Sequence, residues 1–252
     1  MSEDIAWQVF FELHSNLPRE GPGNDAVTAQ ALSCIPGFPE PPRILDLGCG
    51  PGMQTLALAR LTAGQITAVD LYHPYLDELQ RRAVAAGLDK QITVTQADMA
   101  DLPFAPASFD LIWAEGSAYA LGFANALQNW RSLLKHPGYL AVSEVSWTRA
   151  DLPAPVVDFW RTEYPAIQSI EANLAAIEAA GYQTLAHFIL PPEAWWEHYY
   201  TPLEQRLEVL ERQYHNIPEA QSVFDQHRCE METHRQYADY YGYVFYILQV
   251  ED

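Results

Sequence analysis

The sequence predicts an α/β fold built on a mostly parallel sheet, and three features of the chain indicate it. From residue 43 onward, short apolar runs alternate with longer stretches of helical character, the order expected of strand–helix–strand units wound into a parallel sheet. The first run, 44–47, leads directly into a loop with glycines at 48, 50 and 52. The last run, 243–250, follows a long segment rich in Trp, Tyr, Glu and His, which predicts an insertion before the final strand.

These runs predict a seven-stranded sheet with helices on both faces. The predicted strands are the apolar runs at 44–47, 66–70, 92–96, 110–114, 139–145, 184–190 and 243–250. Helices are predicted near 53–62, 74–87, 122–135, 155–163 and 169–180. Pro74 suits the first turn of its helix and Gly87 suits the position that ends it.

Two further segments are expected to lie outside this repeating pattern. Residues 1–42 predict an N-terminal helical leader, with short helices at 3–14 and about 25–34 separated by a loop rich in Pro and Gly. Residues 191–240 predict a mostly helical insertion that forms a lid or a wall. We therefore divide the chain into a leader or cap, 1–42, and a main domain, 43–252, that carries the insertion.

The charge of the chain restricts its partners. The 252 residues include 33 Asp and Glu against 14 Lys and Arg, a net charge of −19. Nucleic-acid binders gain affinity from cationic contacts to phosphates, and anionic membranes attract basic segments, so we expect neither partner. The three scattered cysteines favour a reducing compartment. Because the chain also shows neither a signal-peptide pattern nor a membrane-spanning apolar run, we expect a cytoplasmic protein.

The glycine loop is the most informative motif. It follows a strand and precedes a helix, and its glycines allow tight turning and close approach of a ligand to the backbone. A dinucleotide fingerprint would need its third glycine one residue later. A phosphate-binding P-loop would need a Gly-Lys-Ser/Thr sequence that is not found after it. The loop therefore matches neither of these two phosphate-binding motifs.

The spacing Asp46-x-Gly48-x-Gly50-x-Gly52 resembles motif I of the class I S-adenosylmethionine-dependent methyltransferases. Further segments resemble that family in the same order: 66–70 ends in Asp70, and 96–104, 109–116 and 134–142 are similar to its third, fourth and fifth strand regions. The leader sequence Pro-Arg-x-Gly-Pro-Gly is similar to that of its type 11-like, small-molecule branch. The resemblance implies a Rossmann-like fold and S-adenosyl-L-methionine as cofactor.

The resemblance also implies which residues bind the cofactor. Asp70 would accept the ribose hydroxyls, Asp98 the adenine amino group, and Asp46 would orient the glycine loop. Cys49 is expected to be a packing residue and not a nucleophile. The full expected set is Asp46, Gly48, Gly50, Gly52, Asp70, Leu71, Asp98, Met99 and Glu115.

The acceptor side is less determined. Methyl transfer mainly requires alignment of the acceptor with the methyl carbon, and a general base only where a proton must leave. We expect His198, Glu144 and Glu115 as candidate catalytic residues, although each has a plain structural alternative as a core, capping or cofactor-contacting residue. Candidate substrate-binding residues are Arg19, Tyr119, Trp147 and Tyr200.

We expect no metal, since the seven-residue spacing of His227 and His234 is common by chance. The sequence thus predicts a methyltransferase that acts on a small-molecule acceptor by in-line displacement. The acidic balance favours an acceptor that is neutral or cationic. Two alternatives are a non-catalytic S-adenosylmethionine-binding regulatory module and a related enzyme such as a cyclopropane-forming one. The oligomeric state stays open.

Overall fold

The computed structural model describes residues 2–37 and 39–251, and it confirms the predicted fold class. The strands are β1 (Arg43–Leu47), β2 (Gln65–Asp70), β3 (Ile92–Gln96), β4 (Phe109–Glu115), β5 (Leu134–Trp147), β6 (Gln168–Ser169), β7 (Tyr182–Ile189) and β8 (Tyr241–Val250). They form one sheet in the order β3-β2-β1-β4-β5-β8-β7, and β6 pairs with β5 outside this path. Strands β1 to β5 are parallel, whereas β8 runs antiparallel to both of its neighbours.

The helices follow the predicted alternation. They are α1 (Ser2–His14), α2 (Asp25–Ser33), α3 (Met53–Thr62), α4 (His73–Ala86), α5 (Phe123–Arg131), α6 (Ala154–Glu163), α7 (Ile170–Ala179), α8 (Glu193–Trp195), α9 (Thr201–Gln213) and α10 (Pro218–Tyr237). A 3₁₀ turn spans Ala118–Ala120, and a π-helical turn spans Trp196–Tyr200. Pro74 lies in the first turn of α4, and Gly87, at φ 69°, ends that helix as expected.

Two differences from the sequence prediction concern the region around residue 135. Helix α5 ends at Arg131 instead of 135, and β5 begins at Leu134 instead of 139. Leu134 pairs with Phe109, and the pairing register shifts between Phe109 and Leu111. The irregularity accommodates Pro137, which cannot donate to a ladder. The short strand β6 was also not predicted, because two residues carry no alternation signal.

Helices cover both faces of the sheet. Neighbouring strand residues alternate between two cores: Ile44 packs with Leu58 and Leu79, from α3 and α4, whereas Leu45 packs with Trp130 of α5. Because β1, β2 and β4 are parallel neighbours, their carboxyl ends lie together at one edge, where ligands bind in folds of this kind.

A third core joins the leader to the insertion. Val9 and Leu13 of α1 are fully buried, and they pack in one cluster with Leu203 of α9 and Phe224 and Met231 of α10. Helix α1 therefore packs mainly on α9 and α10, in a cluster that also includes Val145 of β5 and Tyr241 of β8. Within the described part of the chain, every helix is too short or too polar to cross a membrane.

Candidate functional site

The glycine loop follows β1 and is held by both packing and backbone geometry. Gly48, Gly50 and Gly52 have φ values of 68°, 52° and 84°, a left-handed region that favours glycine. A Cβ at Gly48 would lie 2.4 Å from the Ser117 Cβ, and one at Gly52 would lie 2.1 Å from the Leu79 Cδ1. At Gly50 the nearest atom would lie 3.4 Å away. Gly48 and Gly52 thus serve close packing, whereas a Cβ at Gly50 would make only an ordinary contact, and Gly50 lines the cavity beside the loop.

Asp70, at the end of β2, fixes this loop from the neighbouring strand. Its Oδ2 accepts the N–H of Gly50 at 2.9 Å, and its Oδ1 accepts the N–H of Tyr72 at 2.9 Å. The N–H groups of Gly48 and Cys49 donate to the Val69 carbonyl at 2.9 Å each. Burial raises the pKa of Asp70, and these backbone N–H groups act in the opposite direction. The carboxylate therefore orients the loop and also lines the cavity beside it.

Asp46 is fully buried beneath the loop. The Thr55 hydroxyl donates to its Oδ2 at 2.5 Å, whereas its Oδ1 has no hydrogen-bond partner within the described residues. Burial raises the pKa of Asp46 to about 7. An orphaned buried carboxylate oxygen costs free energy, and the raised pKa of Asp46 follows from the same burial.

A cavity of about 630 Å³ extends from the loop towards the insertion. Gly48, Gly50 and Asp70 line one end of it. The remaining wall is aromatic and acidic. Its rings include those of Phe10 and Phe11 from the leader and Tyr199 from the insertion, and its carboxylates include those of Glu20, Glu163 and Glu230. Its volume lies within the usual range of small-molecule sites, about 300–1,000 Å³.

Arg19 and Glu115 form a buried ion pair where the leader meets the end of β4. Glu115 Oε1 also accepts the Thr28 hydroxyl and the Trp113 indole N–H, each at 2.9 Å. Because its oxygens are occupied, Glu115 is not available as a base, and that prediction is corrected. Arg19 lines the cavity, but its charge is matched by Glu115 and not free for a substrate carboxylate.

Glu144 of β5 is buried with 2% of its surface exposed, and the cavity wall within the described residues does not include it. Burial raises its pKa from about 4.5 to about 7, and a hydrogen bond from the Tyr164 hydroxyl opposes that shift. Tyr164 itself lines the cavity. Glu144 therefore lies behind lining residues, with Tyr164 as its hydrogen-bond partner and with Tyr119 and Tyr243 within reach of its charge.

This raised pKa makes folding stability depend on pH. Folded Glu144 binds its proton more tightly than the unfolded chain does, so its stabilisation is complete below about pH 4.5 and is lost as pH rises through 7. We expect Glu144→Gln to remove about 2 kcal/mol of the decline in unfolding free energy between pH 5 and pH 8. Urea denaturation at both pH values measures it. Equal declines in variant and wild type would contradict the expectation, and Glu171→Gln, on the exposed face of α7, is the control.

His198 lies in the π-helical turn, with its Nε2 3.5 Å from Glu197 Oε1. Its neighbours Trp195 and Tyr199 line the cavity, but His198 is not part of the wall formed by the described residues. The structure thus places His198 beside the cavity wall and not in it, which does not favour it as the base. The sequence placed an aromatic cluster at the site, but it did not reveal which members face inward.

Among the other predicted substrate residues, only Tyr119 lines the cavity. Tyr200 is fully buried behind the wall, and its hydroxyl donates to Glu230 Oε1 at 2.8 Å. Trp147 packs edge-on against Tyr241, with ring centroids 6.5 Å apart, also away from the wall. Tyr200 and Trp147 thus support lining residues, and their assignment to direct substrate contact is corrected.

The predicted adenine segment is only partly assembled. Met99 lines the cavity. Asp98 is exposed, and its Oδ1 accepts the Ala100 N–H at 2.8 Å in a local turn. Leu71 is 66% exposed beside Asp70. Among the described residues, no group of three or more His, Cys, Asp or Glu side chains is arranged to hold a metal.

Sequence reasoning missed a hydrogen-bonded chain in the cap. His14 Nδ1 lies 2.7 Å from Glu20 Oε2, and His14 Nε2 lies 2.9 Å from His227 Nε2. His227 Nδ1 donates to the Val223 carbonyl at 2.7 Å, and burial lowers the His227 pKa to about 4. Neutral His227 then accepts a hydrogen bond from the N–H at His14 Nε2, and the other ring nitrogen of His14 contacts the Glu20 carboxylate. Glu20 lies inside the leader motif, the one sequence signal that could have pointed to it.

Comparisons with known proteins agree with this geometry. Residues 44–138 match the model of a methyltransferase domain. The chain is 28% identical over 214 residues to a dimethylglycine N-methyltransferase of Parasynechococcus marenigrum, covering 83% of the chain and 69% of that protein. It is 29% identical over 148 residues to methyltransferase GfsG of Streptomyces halstedii, spanning 57% of the chain and about half, 53%, of that protein.

A solved structure shares the fold over almost the whole chain. It is a methyltransferase of Geobacter sulfurreducens in complex with S-adenosyl-L-homocysteine, with a TM-score of 0.82 and 18% identity, covering 97% of this chain and 98% of that one. The matched family segment contains the glycine loop, Asp70 and β4, which together form the base of the cavity. On these grounds residues 44–138 are similar to a methyltransferase domain, and the whole chain has the fold of S-adenosylmethionine-dependent methyltransferases of known structure.

Proposed function

We propose that the chain transfers a methyl group from S-adenosyl-L-methionine to a small-molecule acceptor held in the 630 Å³ cavity. One observation carries the proposal: the same cavity joins the glycine loop and Asp70 to an aromatic, acidic wall made by the leader and the insertion. One ligand on the loop and a second against that wall would be neighbours in a single enclosed space.

The residues at the loop end fit the cofactor. Gly48 and Gly50 of the loop line the cavity, and Asp70 presents a carboxylate at the end of its strand. We assign the nucleoside and the amino acid part to this end, with Gly48, Gly52, Leu71, Asp98 and Met99 completing the binding segments. When bound, the cofactor supplies a methyl group on a cationic sulfur, and nearby aromatic faces and carboxylates favour a cation.

The cap residues bind and orient the acceptor and exclude water. Helix α1 contributes Phe10 and Phe11 to the wall, and α1 packs on α9 and α10 in the third core. We propose that leader and insertion act together as this cap. Enclosure of the reacting groups in a dry, aligned arrangement is the main requirement of an in-line displacement.

The wall also limits the acceptor. Its carboxylates outnumber its cations, and Arg19 is matched by Glu115, so we propose a neutral or cationic acceptor. The relative that acts on dimethylglycine has an amine acceptor in its name, which agrees with that class. A cytoplasmic location fits the free cysteines Cys34, Cys49 and Cys229, and the charge of −19 disfavours nucleic acids and anionic membranes as partners.

Two measurements test this function. We expect calorimetry to show binding of both S-adenosyl-L-methionine and S-adenosyl-L-homocysteine. We also expect incubation with methyl-labelled cofactor and a metabolite extract to place the label on a small molecule. Absence of cofactor binding would overturn the proposal, and binding without transfer to any metabolite would favour the non-catalytic module instead.

A further inference from the structure

The part of the cavity wall that α10 contributes carries a carboxylate, Glu230, that belongs to none of the proposed cofactor-binding segments. Glu230 of α10 lines the cavity and is partly buried. The Tyr200 hydroxyl donates to its Oε1 at 2.8 Å. A single neutral donor fixes the position of the carboxylate without neutralising its charge.

The cations of the wall are already matched by other groups. Within the described residues, the cavity lining includes Arg19 and His14 as its cationic or potentially cationic side chains. Arg19 is paired with Glu115, and His14 Nδ1 contacts Glu20 Oε2 at 2.7 Å. Glu163, on α6, adds a further carboxylate to the wall. The region around Glu230 thus holds excess negative charge, and burial together with Glu163 raises the pKa of Glu230, while Tyr200 and His14 oppose that shift.

Aromatic rings surround this carboxylate. Tyr199 and Tyr243 line the cavity, and both lie close enough for the Glu230 charge to add to the effect of burial in raising their pKa. Trp195 packs against Tyr243 with ring centroids 5.5 Å apart. The indole N–H of Trp160, also on the wall, is buried without a hydrogen-bond partner in the described residues. A carboxylate among ring faces is the chemistry that recognises alkylammonium groups.

The Glu230 region is continuous with the cofactor end. Tyr199, Glu20 and Glu230 all line the same cavity, and the charges of both carboxylates raise the pKa of the Tyr199 hydroxyl. The Glu20 Cγ in turn lies 3.4 Å from the position of a Cβ on Gly50. A ligand against Glu230 and one on the glycine loop would therefore share one space, which methyl transfer between them requires.

We propose that Glu230 and the rings of Tyr199, Tyr243 and Trp160 form the acceptor subsite, and that the acceptor is a small alkylamine or alkylammonium compound methylated on nitrogen. This inference rests on the proposed function and names its substrate class. The nitrogen lone pair forms the new N–C bond, the C–S bond breaks, and its electron pair stays on sulfur. If the nitrogen carries an acidic proton, Glu230 accepts it before attack; a tertiary amine loses none and becomes a quaternary ammonium.

A pair of probes with the same shape and different charge tests this subsite. Choline is a quaternary ammonium, and 3,3-dimethylbutan-1-ol is its neutral carbon analogue. In calorimetry with S-adenosyl-L-homocysteine present, so that no methyl can be transferred, we expect choline to bind about tenfold more tightly than the alcohol, the size of a cation-recognition term. Glu230→Gln should remove most of that preference and leave the affinity for the alcohol unchanged.

Glu232→Gln is the matched control, since Glu232 lies two residues away on α10 and its side chain is 56% exposed. We expect it to keep the wild-type preference for choline. A melting curve and the affinity for S-adenosyl-L-homocysteine show whether each variant is folded. Equal binding of the two probes, or an unchanged preference in folded Glu230→Gln, would overturn the subsite. If S-adenosyl-L-homocysteine itself fails to bind the wild-type protein, the proposed function fails instead.

Discussion

Replacing Asp70 with alanine will lower the affinity for S-adenosyl-L-methionine by about 100-fold or more. The carboxylate accepts the N–H of Gly50 and that of Tyr72 at 2.9 Å each, so its removal frees the glycine loop where Gly50 lines the cavity. It also removes the acceptor that we assign to the ribose hydroxyls. Hydrogen bonds to a charged group contribute about 1.5–3 kcal/mol each, so the loss of two such bonds corresponds to at least about a 100-fold loss of affinity.

Asp77→Ala is the matched control for this prediction. Asp77 lies on α4, close in sequence to Asp70, and its side chain is 70% exposed in a contact with His73. We expect its cofactor affinity to stay within twofold of wild type in calorimetry, while both variants keep their folded circular-dichroism spectrum. A folded Asp70→Ala protein that binds the cofactor as tightly as wild type would remove Asp70 from the site.

The fold and the cofactor end of the site could be predicted because their signals are local in sequence. The glycine loop and Asp70 each directly follow a strand, and parallel strands bring such ends to one edge. The predicted helix 122–135 extended too far because apolar Leu133 and Leu134 continue a helical pattern, although Leu134 actually pairs with Phe109 in the sheet. Periodicity alone does not separate the end of a helix from the start of a buried strand.

The acceptor end could not be predicted, because its members come from distant segments. Whether Tyr199 or His198 faces the cavity depends on a π-helical turn, whose spacing differs from that of an α-helix. Glu230 reaches the wall only because α10 packs against α1 in a core that joins 1–42 to 191–240. Residue type indicated an aromatic, acidic region there, and tertiary packing selected which side chains line it.

The structure shows which of the carboxylates behind the net charge of −19 are paired with cations near the cavity. Where the leader meets β4, Glu115 forms an ion pair with Arg19, and Glu20 of the leader contacts His14. Among the described residues, the hydrogen bond recorded to Glu230 comes from the neutral Tyr200 hydroxyl, and Glu230 lines the cavity. We therefore propose that the carboxylate acting on an acceptor is one that packing leaves without a direct ion pair.

Replacing Glu115 with alanine will destabilise the protein by about 3–5 kcal/mol, the range found when one partner of a buried ion pair is removed. Arg19 is 4% exposed, and Glu115 is the carboxylate that its guanidinium contacts. The variant leaves this charge buried without a partner, and the Thr28 hydroxyl and the Trp113 indole N–H also lose their acceptor. Urea denaturation at neutral pH measures the change in unfolding free energy.

A double variant separates the cost of an orphaned charge from the worth of the pair. In Arg19→Met/Glu115→Gln, no unpaired charge remains, and the Gln oxygen can still accept from Thr28 and Trp113. We expect this double variant to recover at least half of the unfolding free energy lost in Glu115→Ala, since removing both partners of a buried pair is often close to neutral.

The cofactor affinity of the double variant tests a second role of the ion pair. Gly23 packs against both side chains, with a hypothetical Cβ 2.6 Å from Arg19 Nη1 and 2.8 Å from Glu115 Oε2, so the pair also determines where the leader crosses the cavity. If the pair only stabilises the fold, the double variant will bind S-adenosyl-L-methionine as wild type does. We expect instead that it binds the cofactor about tenfold more weakly, even where stability is largely restored, because the leader lines the cavity. A Glu115→Ala protein within 1 kcal/mol of wild type would show that Arg19 finds water or another partner, and that the leader is held by its apolar core alone.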